Sequence, residues 1–434
     1  MEQAQRAKDA ERLKSLIDRI LSLSQRPSEA AKKKLWADHQ ALRPVSRVPV
    51  TVYYEGIPSP QWEFILGPNA RQCESPLARS MEFDLRSRIW IAENVSDDHI
   101  VWPSVVVHVP VIERQGWGVD LRWRQSDLEL GAKGYDPPFR DGIDVGRLTV
   151  SEYEFDETAV NDRLSEAQEL TSGKLDVHPH YAHMGYAPFD IATRMRGMEG
   201  LLLDVALEPD KVTALMEFIT SAMEQHDRRR EQRGWLNVHR DRSGTYQQVG
   251  FRVHCAYLED GFKARKPGLA DEWVYLSAQT SAGLGPRDFE RFAHPYNARL
   301  ARPFEQQTVY YHGCERLDDK LSILAGLPNL RRFHVSPWSN LAKACEQFQG
   351  SVVLEVHDHP GKVFFGSSAD ETRARIRELL QSADGHPMDL NLSDIHSING
   401  NPNRASSILW DTESLCVNYF CVELVIQSLE ATSI

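Results

Sequence analysis

His312 and Cys314 stand one residue apart at the end of a short β-prone run, Val309-Tyr310-Tyr311. In an extended chain, side chains at i and i+2 point to the same side. An imidazole and a thiolate are good zinc ligands, and two of them on one strand would preorganise half of a site. Zinc would also lower the thiol pKa, and a zinc-bound thiolate can act as a nucleophile. HxC is a weak motif by itself, and from spacing alone the pair reads more readily as ordinary polar packing at a strand end than as a metal site. A second cluster, His254, Glu259 and Asp260, lies in "HCAYLEDGF". A carboxyl group there could ligate metal or give a proton to a leaving group, or it could cap a helix or join a salt bridge. Asp394 and His396 lie in "LNLSDIHSING", and Tyr53, Tyr54 and Glu55 end an earlier strand pattern, where one of them should face a pocket. His178, His180 and His183 in "DVHPHYAHMGYAPFD" include an HxH pair, which can bind metal. His334, His357 and His359 fall near other strand ends, with His357 to Pro360 read as a turn. No P-loop, no GxGxxG after a strand and no GxSxG elbow is present, which argues against nucleotide and serine-hydrolase chemistry.

These residues need strands to carry them. "RVPVTVYY", "SVVVHVPVI", "VGFRVHCAYL", "TVYYHGC", "RRFHVSP", "SVVLEVHDHP" and "MDLNLSDIHS" are all strand-like. Helical patterns alternate with the later ones. In "EPDKVTALMEFITSAMEQH", Pro209 suits the first turn, and Val212, Leu215, Met216, Ile219 and Met223 share one face. "GPRDFERFAHPYNARLARPF" is helical with a break at Pro295, and "SNLAKACEQF" places Cys345 on a core face with Leu341 and Phe348. In "SADETRARIRELLQSADG", Ser368 and Glu371 match a capping box. Alternating short strands and helices predict a parallel sheet, with a closed (β/α)8 TIM barrel over 47–434. Residues 1–46 form an N-terminal helical extension, in which Leu13, Leu16, Ile17, Ile20 and Leu21 share a face; it could be a lid, a dimer arm or a brace. The weakly patterned stretch 113–170 predicts a long insertion of loops and short strands.

The chain has 434 residues, 26% of them charged, with a net charge of -12 and no long basic tract, so nucleic acid is not an expected partner. Arg228, Arg229 and Arg230 suit the negative end of a helix. No apolar run is long enough for a membrane span, and the charged N-terminus lacks the apolar core of a secretion signal. Six irregularly spaced cysteines without a CxxC pair predict reduced thiols in the cytoplasm.

Several phrases carry a family likeness. "MRGMEGLLLDVALEPDKVTALMEFIT", "GPRDFERFAHPYNARLARPF" followed by a strand ending in His-x-Cys, and "FHVSPWSNLAKACEQFQGSVVLEVHDHP" resemble segments of the uroporphyrinogen decarboxylase superfamily. The likeness covers roughly residues 45 to 425 and implies a TIM barrel. "VPVTVYYEGI" lacks the Arg-rich motif of the metal-free decarboxylating branch. The pattern is closest to the cobalamin-dependent methyltransferases, in which His-x-Cys and a later Cys hold zinc. That resemblance implies zinc on His312 and Cys314, with Asp394 or His396 substituting for the later Cys, which is missing. It implies transfer of a methyl group between a small methylated substrate and a corrinoid. Glu259 or Asp260 would supply a proton, and Tyr54, His254 and His396 would contact substrate. "DIHSING" misses the DxHxxG phrase of cobalamin-binding domains because Gly400 lies one residue too far, so cobalamin must come free or on a partner corrinoid protein. A homodimer is compatible with this reading. The alternatives are a decarboxylase of a polycarboxylate, using Arg194, Arg196 or Arg252, and a ligand-binding barrel without catalysis.

Overall fold

The computed structural model describes residues 2–404 apart from 55, 69, 125, 128–133, 183, 239–245, 249–250, 254–265 and 306–307. Eight short strands run parallel in two groups. They are β1 (Val50–Val52), β2 (Ser104–His108), β3 (Asp176–His180), β4 (Val274–Leu276), β5 (Val309–Tyr311), β6 (Leu330–Val335), β7 (Val353–His357) and β8 (Met388–Leu392). Six of them form one sheet in the order β1-β8-β7-β6-β5-β4, and β2 pairs with β3. The fold is therefore α/β. The expected barrel is not one continuous ladder among the described residues, and the β1 edge has a physical reason for this. The Val50 and Val52 N–H groups donate to the carboxylates of Asp98 and Asp97, at 2.8 and 3.0 Å, where a neighbouring strand would otherwise accept. At the β4 edge the Ser277 N–H donates to the Tyr186 carbonyl at 3.2 Å.

The six-stranded sheet is buried on both faces, and its two faces differ. Val50, Val52, Val274, Leu276, Val309, Tyr311, Phe333, Val335, Leu354, Val356, Leu390 and Leu392 join the main apolar core, under the helices. Most of the alternate positions are polar or aromatic: Tyr275, Tyr310, His312, Arg332, His334, Glu355, His357, Asp389 and Asn391 are all buried. Strands covered on both faces usually read as continuous apolar runs. Here the period of two sorts the polar groups onto one interior face, and that face carries the candidate chemistry.

The helices seal the other face. Pro209–Arg233 buries Val212, Leu215, Met216, Ile219 and Met223, as its spacing predicts. Each such side chain contributes roughly 1.5–3 kcal/mol relative to exposure. The break predicted at Pro295 falls at Ala293, between Pro286–Phe292 and His294–Ala301, and Pro295 sits in the first turn of the second helix. Ser368 and Glu371 close the predicted capping box of Ala369–Ala383. Arg230 lies in the last turn of Pro209–Arg233, at the helix end expected of it. It is buried between Glu272, at 2.6 Å, and Asp227, at 3.3 Å.

The stretch 113–170 is only partly loop. Antiparallel ladders join Val111–Gln115 to Glu152–Phe155 and Arg122–Arg124 to Gly134–Asp136. Glu157–Leu170 is a helix, capped by the Asp156 carboxylate, that buries Val160, Ala167 and Leu170. Its apolar positions recur with helical spacing, which the loop reading overlooked.

The N-terminal helices act as a brace. Leu13, Ile17, Ile20 and Leu23 of Glu2–Ser24 enter a second core with Met81, Leu85, Val105 and Val107. From Pro27–Gln40, the Trp36 indole N–H donates to the Asp98 carbonyl at 2.8 Å, and His39 Nε2 meets Asp389 Oδ2 at 2.9 Å. This helix therefore reaches the polar interior face at β8.

Candidate metal centre

The centre is built from the ends of adjacent strands. After β5, the His312 N–H donates to the Leu276 carbonyl at 2.9 Å, which carries the extended path one residue past the strand. At Gly313 the Leu317 and Glu315 side chains pack against the bare backbone: a Cβ there would lie 2.8 Å from Leu317 Cδ1 and 2.9 Å from Glu315 Oε2. Cys314 Sγ lies 3.1 Å from His312 Nε2. On β6, next to Phe333, which pairs with Tyr311, His334 stacks on His312 with ring centroids 4.0 Å apart. One ligand atom from each of His312, Cys314 and His334 lies within 4.8 Å of the others.

Burial sets the charge state of this group. Burial and the neighbouring His357 push His312 down to about 3, although Glu355 opposes them. Burial, then His312 and His357, hold His334 well below the ordinary histidine value. Burial, Asp394 and Glu315 push the Cys314 thiol up to about 12, against a hydrogen bond from Gln279. The resting cluster is two neutral imidazoles and a protonated thiol. By strict geometry neither ring nitrogen of His334 has a hydrogen-bond partner among the described residues, although the Gly313 backbone approaches closely enough to oppose the lowering of its pKa. A buried polar atom left this way costs about 1–3 kcal/mol, a cost that a bound cation would relieve at the lone pair.

The donor set fits zinc, which takes imidazole nitrogen and thiolate sulfur. Binding would displace the thiol proton, so affinity should rise with pH. One adjustment is required. A ring nitrogen's lone pair lies in the ring plane, and His312 and His334 are only 16° from parallel, so one ring must tilt for both to share an ion.

Carboxyl groups flank the cluster. Burial pushes Glu315 up to about 7, with Lys320 opposing and Asp190 adding to the shift. A carboxyl that keeps its proton near neutral pH is suited to general-acid work. Asp190 accepts from the Thr280 N–H at 2.8 Å and from the Ser277 hydroxyl at 3.2 Å, so its place is fixed by hydrogen bonds.

The other residues picked from the sequence are placed as follows. Asp394 is half-buried with φ 56°; its charge reaches Cys314, but it is not one of the three grouped donors. His396 is exposed and packs on Gly56, where a Cβ would lie 2.5 Å from its Nδ1. Tyr54 sits edge-on to Trp62, Trp90 and Phe364. It lines a cavity of about 670 Å³ with Arg71, Asp84, His99 and His108, and none of the three donors borders that space. A groove of about 440 Å³ adjoins the cluster through His357 and includes Trp338, His359 and Lys362. His254, Glu259 and Asp260 lie outside the described residues. Arg194 stacks over Trp123, and Arg196 Nε binds Asp204 at 2.6 Å. Glu315 and Asp190 carry no signal in the sequence pattern, and His334 stands out there only as a residue near a strand end. The signal for His334 lies in the alternation of the buried strand Arg332-Phe333-His334-Val335, whose polar members share a face.

No family model and no curated protein matches the chain. Among solved structures, a methyltransferase from Methanosarcina mazei has a similar fold: the TM-score is 0.51 with 11% identity, over 88% of this chain and 98% of that one. At this identity the likeness establishes the fold and nothing finer.

Proposed function

We propose that this protein is the methyltransferase component of a corrinoid-dependent system. It would move a methyl group between a small methylated substrate and cobalamin, supplied free or on a partner protein. The observation that carries this reading is the grouping of His312, Cys314 and His334 at adjacent strand ends, in a chain whose fold resembles a methyltransferase. We further propose that the eight parallel strands close as a barrel, with this cluster at the C-terminal end of its strands, where barrel enzymes place their chemistry.

His312 and Cys314 would hold zinc, with His334 as the third ligand and Asp394 the alternative donor at that position. A zinc ion supplies Lewis acidity toward the heteroatom that loses or gains the methyl group. The chain's own residues do the rest. Tyr275 stacks on His312 at 5.2 Å and fixes one side of the ring. Glu315 holds a proton close to the cluster, and Glu259 and Asp260 remain the donors proposed from the sequence. Of the arginines proposed for the decarboxylase alternative, Arg196 is engaged by Asp204 and Arg194 stacks over Trp123.

Two measurements test the proposal. Elemental analysis of protein purified without added metal or chelator should find about one zinc per chain, and Cys314→Ser should lose most of it. Mixing the protein with reduced cobalamin and candidate methyl donors should form methylcobalamin, followed by absorbance. Metal equal in both proteins, or CO₂ release from a carboxylated substrate without any corrinoid, would overturn the reading.

A further inference from the structure

The hydrogen bonds of His312 continue beneath the cluster. Its Nδ1 lies 2.7 Å from the Tyr310 hydroxyl, and that hydroxyl donates to Glu355 Oε1 at 2.7 Å. Since a hydroxyl has one proton, the bond to Glu355 leaves it only lone pairs for His312. Nδ1 must then carry the imidazole proton, and the Nε2 lone pair faces Cys314 Sγ.

Glu355 is held so that it can only accept. Its Oε1 also receives His357 Nε2 at 2.8 Å, and its Oε2 receives Arg332 Nη2 at 2.6 Å. Because the Glu355 carboxylate has no proton to give, His357 Nε2 must be the donor in the bond they share, while the Ser393 hydroxyl lies 2.7 Å from its Nδ1. Arg332 in turn is anchored by Asp389 at 2.8 Å, and Asp389 by His39 at 2.9 Å. All of these side chains are buried, so water does not compete for their hydrogen bonds.

We infer that Tyr310 and Glu355 are positioning residues that lock His312 in the Nδ1–H tautomer and aim its Nε2 lone pair at the metal position beside Cys314. This rests on the metal reading above and deepens it. A histidine ligand whose second nitrogen donates to an anchored acceptor is oriented and made more basic, and loss of such a partner typically weakens metal binding 10- to 100-fold. Tyr310→Phe removes only the hydroxyl and leaves His357 and Arg332 on Glu355.

The experiment is a competition titration of metal-free wild type and Tyr310→Phe with Zn²⁺ against a chromophoric chelator, with thermal unfolding as the control for folding. Co²⁺ substitution reports the sulfur-to-metal band of Cys314 separately. The expected result is a wild-type site whose zinc affinity falls about 10- to 100-fold in Tyr310→Phe, with Cys314 still ligating. Equal affinity in the two proteins overturns the positioning role and leaves the metal reading intact. Absence of zinc binding by wild type overturns the metal reading, and this inference with it. Should Tyr310→Phe fail to fold, long-range proton–nitrogen NMR of histidine-labelled wild type decides instead. It should find His312 protonated at Nδ1, and an Nε2–H resonance for that ring overturns the inference.

Discussion

Asp9 illustrates how one buried carboxylate can make stability depend on pH. It accepts from the backbone N–H groups of Glu74 and Ser75, both at 2.9 Å, and so ties the first helix to the loop that starts Pro76–Asn94. Burial alone would raise its pKa, but the Ser75 and Glu74 N–H groups, helped by Arg12, bring it below the ordinary 3.8. The unfolded chain therefore binds this proton more tightly than the native one. The stabilisation is complete above pH 3.8 and is lost as pH falls through the lowered value. Asp9→Asn should cost about 1–3 kcal/mol at pH 7, and the gap to wild type should narrow in acid. Urea unfolding at pH 7 and pH 3 checks this, and a gap of constant size would count against it. The candidate site was legible to a similarly local degree. His312 and Cys314 announce themselves because both lie on one short run and their spacing is read directly. His334 does not, because its approach depends on how β6 registers against β5, a relation between segments that single-chain periodicity does not encode. Tyr54 shows the converse: it ends a strand as expected, yet Trp62 and Trp90 claim its ring.

Helices with strong local signals were readable, and weakly patterned ones were not. Pro209–Arg233 combines a proline in its first turn with an apolar stripe, and both signals survive folding. Glu157–Leu170 is mostly polar, so the helical spacing of its few apolar residues is a weak signal until β2 and β3 pack against them. The capping box at Ala369–Ala383 is local enough to stand on its own. Glu371 N–H donates to Ser368 Oγ at 3.2 Å, and Ser368 N–H returns to Glu371 Oε2 at 2.7 Å. Ser368→Ala should lower stability by about 1 kcal/mol, measurable as a reduced urea midpoint at unchanged slope. A wild-type midpoint would mean that water caps the helix equally well.

Across the molecule, the alternation of strands and helices indicated a parallel α/β fold, while the pairing at the sheet edges depends on particular side chains. Asp97 and Asp98 occupy the β1 edge in a way that strand propensity does not anticipate. Among the described residues no helix is long and apolar enough to cross a membrane. The first helix contributes four side chains, Leu13, Ile17, Ile20 and Leu23, each 2% exposed or less. Their burial is worth on the order of 6–12 kcal/mol as an upper estimate, comparable to the whole stability of many proteins. Deleting residues 2–24 should yield insoluble protein or a much lower urea midpoint, and a soluble truncation with the wild-type midpoint would contradict the brace. The contact between His39 and Asp389 joins residues 350 apart in the chain. At about 5–20 residues per second, a ribosome needs roughly 20–70 s to travel between them. Trp36 meets its partner Asp98 after only 62 residues. The N-terminal helices can therefore dock early on the nascent chain, whereas Arg332 waits for β8 to emerge before Asp389 can hold it. During that interval His312, Cys314, Tyr310 and Glu355 are already synthesised, while Arg332 beneath them still lacks its anchor on β8.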